Sequence, residues 1–336
     1  MSVLYSQMGF SLKKGYERRS LDPTSMTSYS PPAILFNRHL ETIYPSLLRK
    51  VYMKVAERER IATPDDDFLD LDWYKQGSSK CVILSHGLEG NSSRAYMLGM
   101  TRAFSSQGFD VLAWNFRGCS GEMNRQRRFY HSGATDDLQS VVHHVAKNYP
   151  EIYLIGFSLG GNVTLKYLGE VNAHPFIRKA VTFSVPINLY SSSLEIAKPA
   201  NWIYTQRFLS SLRKKVIEKA AVRKDLNIEK LNQIKTLMEF DDHYTGPLHG
   251  YRDAIDYYTK CSSIHFIEKI KVPTLVVSAL NDPFLSPNCY PAERFRNHPF
   301  VTFEFPARGG HVGFSLFNEK GLYWSEMKAL SFIEAL

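Results

Sequence analysis

The chain has 336 residues, enough for one large core or for a core carrying a cap. Hydrophobic residues make up 44% and charged residues 22%, a globular balance that excludes disorder over the whole length. The formal net charge is +8, but the basic residues are dispersed and no zinc-knuckle, RNA-binding aromatic or helix-turn-helix pattern accompanies them, so no nucleic-acid partner is expected.

Residues 1–30 mix Ser, Thr, Lys and Arg without periodicity and read as a poorly structured extension, with Met26 as a candidate alternative start. After Pro31-Pro32 the pattern changes. The segments VYMKVAERERIAT and FLDLDWYK alternate as strands do, and TPDDD between them reads as a turn, which predicts an antiparallel hairpin with a wet face. KCVILSHG is a continuous apolar run ending in glycine, as expected of a fully buried parallel strand. A helix is predicted near Ser93–Gln107, then the strand DVLAWNFRG. The helix TDDLQSVVHHVAKNYP follows, with Thr135 or Asp136 as its N-cap and Pro150 as its stop. IYLIGFS, AVTFSVP, PTLVVSAL and VTFEFPA complete a set of eight strands; LGGNVTLKYLGEV and a last helix from about Tyr323 complete the helices.

Strands alternating with helices at this spacing predict an α/β fold with a mostly parallel eight-stranded sheet covered on both faces. The alternation breaks between residues 188 and 263, where the pattern is helical throughout. That divides the chain into a first core part (31–187), a helical cap or lid (188–263) and a second core part (264–336). The four cysteines form no C-x-x-C pair, which fits a reducing compartment. No apolar run reaches the ~18 residues of a spanning helix, and a cytoplasmic protein is expected.

Gly156-Phe157-Ser158-Leu159-Gly160 matches G-x-S-x-G between a strand and a helix, the setting in which a strained turn exposes a nucleophilic serine. Serine needs a base. His311 follows the last strand on the loop Arg308-Gly309-Gly310-His311, whereas the rivals His131, His243 and His249 follow no core strand. Asp282, before Pro283 and after PTLVVSAL, is placed to orient the histidine, with Glu304 in reserve. For the oxyanion the expected donors are the amides of Leu159 and of Leu88, the latter on the His86-Gly87-Leu88-Glu89-Gly90 turn, with Gly87 freeing that turn and Gly160 the nucleophile's.

These residues, with Asn37-Arg38-His39-Leu40-Glu41-Thr42, Arg117-Gly118-Cys119 followed by Gly121-Glu122, and Phe240-Asp241, Tyr244-Thr245 and Tyr257-Tyr258, make residues 31–336 resemble the YheT-like branch of the α/β-hydrolase fold family. The resemblance implies a serine hydrolase of carboxylic esters, acting on a small-molecule ester or lipid without metal or organic cofactor. Acyltransferase or ester-synthase chemistry and a lipid-directed phospholipase use the same residues; a silent binding protein or a peptidase are remoter readings. Arg117-Gly118-Cys119 reads as structural, and Asp241, Asp242 and His243, being adjacent, do not read as a metal site.

Residues 201–240 hold nine Lys/Arg against four Asp/Glu, interleaved with Trp202, Tyr204 and Phe208. A solvated cap face explains this, with peripheral contact with an anionic membrane, through Arg213, Lys214 and Lys215, as the alternative.

Overall fold

The computed structural model describes residues 29–53, 56–170 and 173–335. The expectations about residues 1–28 and Met26 lie outside the described residues. Eight strands, β1 (Glu57–Ala62), β2 (Phe68–Tyr74), β3 (Lys80–Ser85), β4 (Asp110–Asn115), β5 (Glu151–Phe157), β6 (Ile177–Phe183), β7 (Thr274–Val277) and β8 (Val301–Glu304), form one sheet in the order β1-β2-β4-β3-β5-β6-β7-β8. β2 pairs antiparallel with β1 and β4, and all other pairings are parallel.

The period of two divides each central strand between two cores. Val82 and Leu84 face α2 (Ala95–Ser105) and α10 (Trp324–Glu334), whereas Cys81 and Ile83 face α3 (Thr135–Val145) and α4 (Leu159–Glu170). Both sides are buried, which is why these strands read as unbroken apolar runs. A further helix, α1 (Arg38–Leu48), is capped by the Asn37 side chain, which accepts from the amides of His39 and Leu40.

The hairpin departs from the expected wet face. β1 is open to solvent, but β2 is buried through Phe68–Trp73, aspartates included. Arg58 and Arg60 reach across the register to grip Asp72 and Asp70 with two-pronged contacts of 2.7–2.9 Å, which makes the burial of those carboxylates tolerable. The N-cap of α3 also differs: Ala134 occupies that position without a side-chain bond, and the Thr135 hydroxyl donates to Glu170 at 2.7 Å instead.

Between β6 and β7 lie α5 (Leu189–Ile196), α6 (Trp202–Val222), α7 (Leu237–Phe240), a π-turn (Asp241–Thr245), α8 (Gly246–Leu248) and α9 (Ala254–Cys261). Residues 227–240 are not the continuous helix expected. A 3₁₀ turn (Leu231–Gln233) and the short α7 are separated by extended backbone at Ile234, which lets Leu231, Ile234 and Phe240 all insert beside Leu209 and Val216 of α6. The four cysteines are free and buried.

Arg117 follows β4 and is 2% exposed. Its guanidinium joins Asp65 and Asp67 of the hairpin turn to Asp137 of α3 at 2.6–3.1 Å, which locks the antiparallel edge to the parallel core. The Arg117→Met protein is expected to lose about 3–5 kcal/mol of unfolding free energy, read from its urea midpoint, because the buried carboxylates of Asp67 and Asp137 lose the cation between them. A loss below about 1 kcal/mol would mean that neighbouring cations neutralise them instead.

Candidate active site

Ser158 occupies the turn between β5 and α4 at φ +52°, in the left-handed region that side chains avoid. The glycines around it are required by contact. A Cβ on Gly156 would lie 2.6 Å from the Gly160 carbonyl oxygen, and one on Gly160 would strike the carbonyls of Ser85 and His86. The turn lifts the serine hydroxyl to the carboxyl edge of the sheet, where open α/β sheets place their sites.

The structure brings Ser158, His311 and Asp282 together from three separate strand ends. Nε2 of His311 lies 2.9 Å from Oγ of Ser158, and its Nδ1 lies 2.8 and 3.1 Å from the two oxygens of Asp282. The buried Asp282 also accepts the Phe284 amide at 2.9 Å, and the Phe284 ring packs on the imidazole at 4.3 Å. With Nδ1–H directed at the carboxylate, Nε2 presents its lone pair to the serine hydroxyl, the protonation that base catalysis needs. Glu304 pairs instead with Lys328 on α10; His243 is exposed, and His131 and His249 pack against each other with their rings tilted and 4.2 Å apart.

The two expected oxyanion donors are set apart by what their neighbours do. The amides of Gly87 and Glu89 donate to the hydroxyls of Tyr96 (3.0 Å) and Tyr130 (2.8 Å), but among the described residues neither Leu88 nor Leu159 has an acceptor for its amide. His86 holds this loop from beneath: its Nε2 accepts the Phe116 amide at 3.1 Å and its Nδ1 donates to the Gly87 carbonyl at 2.8 Å. Burial pushes His86 down to about 3, so it stays neutral and keeps that tautomer.

One organising residue was not singled out by the sequence reading. Glu41 of α1 is 1% exposed and lies between the loops that carry Asp282 and His311. Its carboxylate accepts the Gly309 amide (2.7 Å), the Asn281 amide nitrogen (2.8 Å) and the Arg308 guanidinium (2.8 Å). Thr42 accepts the amide of His311 itself at 3.0 Å. The N-x-H-L-E-T block carried a signal, but nothing in it indicates contacts more than two hundred residues away.

Ser158 and His311 form the floor of a chamber roofed by the cap and walled by Leu159, Phe208, Leu212, Phe240 and Phe284. A second cleft, between α1 and α6, reaches the same serine past Ile43, Tyr96 and Tyr204. The basic run 213–215 does not form one outward face. Lys214 is exposed, but Lys215 turns inward to lie 2.8 Å from Glu89 and 3.0 Å from the sulfur of Cys119. Burial pushes that thiol up to about 11, so Cys119 is held as a thiol. No helix among the described residues is long and apolar enough to cross a membrane.

A parallel sheet with an antiparallel edge, a strained serine after its central strand, and histidine and acid on later strand ends define an α/β-hydrolase. The chain belongs to that family, and residues 76–297 match the family model described as serine aminopeptidase, S33. It is similar to YheT of Escherichia coli (strain K12), with 33% identity over 300 residues covering 87% of this chain and 88% of the relative. Phospholipase ABHD3 of Bos taurus is 28% identical over 87% of this chain and 74% of its own, and a monoacylglycerol lipase of Saccharomyces cerevisiae 29% identical over 75% and 57%. In fold it resembles an esterase of Pyrococcus furiosus, with a TM-score of 0.57 and 20% identity over 83% of this chain and 90% of that one. The chain is thus an esterase- and lipase-type member of the α/β-hydrolases.

Glu41→Gln replaces one acceptor oxygen with a donor between two loops that both need acceptors. Its kcat on any substrate the wild type turns over is expected to fall about tenfold to a hundredfold with little change in KM, because the histidine and its acid lose their common support. A changed KM with an unchanged kcat would place Glu41 outside that support.

Proposed function

We propose that the protein is a serine hydrolase of carboxylic esters, taking acyl groups of short to medium length into the capped chamber. The observation that carries this reading is the 2.9 Å contact between Oγ of Ser158 and Nε2 of His311 on the floor of an apolar chamber. Ser158 attacks the ester carbonyl as His311 takes its proton, and Asp282 stabilises the imidazolium that forms. The carbonyl oxygen, becoming negative, moves between the amides of Leu88 and Leu159, which have no other acceptor among the described residues, and the positive end of α4 adds to their field. Collapse of that intermediate expels the alcohol, which takes the proton from His311. Water then repeats the sequence on the acyl-enzyme, with His311 again as base.

The wall of the chamber favours an apolar acyl group, because burying a hydrocarbon chain there releases its water. The names borne by the relatives, phospholipase and monoacylglycerol lipase, support an ester with such a chain. None of the steps requires a metal or an organic cofactor.

A p-nitrophenyl ester series from acetate to palmitate tests the proposal. Activity is expected to peak at one chain length, and Ser158→Ala to lower it by ~10³-fold or more. Asp282→Asn is expected to retain fold and binding but lose about 10³- to 10⁴-fold in kcat. A fluorophosphonate that fails to label Ser158, with no ester turned over, would overturn the reading.

A further inference from the structure

The cap side of the chamber is not wholly apolar. His131, Asp241, His249, Tyr257 and Tyr258 all reach it, and most of their polar atoms are already engaged. Tyr258 donates to Asp241 at 2.6 Å, Tyr257 accepts the Ser132 amide at 2.9 Å, and His249 sets its two nitrogens against the carbonyls of Thr245 (2.6 Å) and Phe129 (3.2 Å).

His131 differs. Its side chain is enclosed by the rings of His249, Tyr251 and Tyr257, and the residue is 7% exposed. Nδ1 accepts the Gly133 amide at 3.1 Å, and burial pushes the imidazole well below its ordinary value, so the ring is neutral. A neutral imidazole that accepts at Nδ1 carries its proton on Nε2. That N–H has no hydrogen-bond partner among the described residues, and His131 is one of the residues that line the chamber. Asp241 adds a carboxyl on the same chamber, pushed up to about 6 by burial. An all-hydrocarbon chain packed here would leave the His131 N–H without a partner and lay hydrocarbon against a carboxyl that accepts from Tyr258, which a binding site built for such chains avoids.

We propose that this end of the chamber is a hydrogen-bonding subsite for an acyl group bearing a hydroxyl along its chain, the hydroxyl oxygen accepting from Nε2–H of His131 and the O–H donating a hydrogen bond to the Asp241 carboxyl. The substrate class is then hydroxyacyl esters rather than plain fatty esters. The inference rests on the esterase reading, since the acyl group must reach Ser158 to place its chain there. It concerns selection among acyl groups and adds no step to the reaction.

The test compares methyl octanoate with monohydroxy methyl octanoates in which the hydroxyl is moved stepwise along the chain, acid release being followed by pH-stat. At one position the wild type is expected to favour the hydroxy ester by about tenfold or more in kcat/KM. His131→Leu is expected to bring that ratio to about one or below, and His131→Gln, which keeps a donor, to retain part of it. Each value is a ratio of two substrates on one protein, so a poorly folded fraction cancels. A wild type that prefers the plain ester at every position, or a preference that survives unchanged in both variants, would overturn the subsite. If Ser158 still takes a fluorophosphonate and the plain ester is still cleaved, only the subsite falls. If neither ester is cleaved and Ser158 is unlabelled, the esterase reading falls with it.

Discussion

Ser158 sits at φ +52° because the chain must leave β5 and enter α4 within one residue while its carbonyl and amide remain in use. The Ser158 amide donates to Phe183 of β6, and its carbonyl accepts from Asn162 inside α4. Strain of this kind costs about 1–3 kcal/mol and persists only where the surroundings over-determine it. Here they do. Gly156 and Gly160 leave no space for side chains, and Phe157, the intervening residue, is buried against Tyr96 and Phe183. Once the serine is held in that pose, the positions of His311, Asp282, Leu88 and Leu159 are all measured from it.

The supports of the site form two groups that meet at the serine. Beneath the Gly87–Glu89 turn stand His86, Tyr96 and Tyr130, each satisfying a backbone group on either side of Leu88. Behind the histidine stand Glu41 and Thr42, so a helix from the beginning of the described chain sets the geometry of loops at its end. Lys215 links the first group to the cap: it reaches from α6 to Glu89, whose own backbone is left-handed at φ +53°. The cap and the loop that carries Leu88 are therefore joined by a contact with little exposure to screening water, which makes the cap part of the site's architecture as well as its roof.

Much of this was legible in the chain. Strands buried on both faces leave unbroken apolar runs, and the eight strands appear in the sequence as such runs or as alternating segments. The serine, the acid and the histidine that converge were legible because Ser158 follows β5 directly, Asp282 and His311 lie in the loops after β7 and β8, and each has glycine or proline within two residues, which act locally on the backbone. The wet hairpin face failed as an expectation because Asp70 and Asp72 look solvent-seeking until Arg60 and Arg58 are found opposite them. Residues 227–240 failed because Ile234 gains more from the cap's apolar cluster than a regular helix would offer, a tertiary override of local propensity.

Order along the chain and local backbone chemistry thus determined the sheet, the strained turn and the identity of the three residues that converge. Both are properties of neighbours in sequence, where glycine, proline and a period of two have direct physical effects. Only the tertiary structure decided that Glu41 supports the histidine loop, that Lys215 points inward, and that His131 joins the lining of the chamber. Those facts depend on which distant side chains share a desolvated space, and there the loss of water makes each unpaired donor or acceptor decisive.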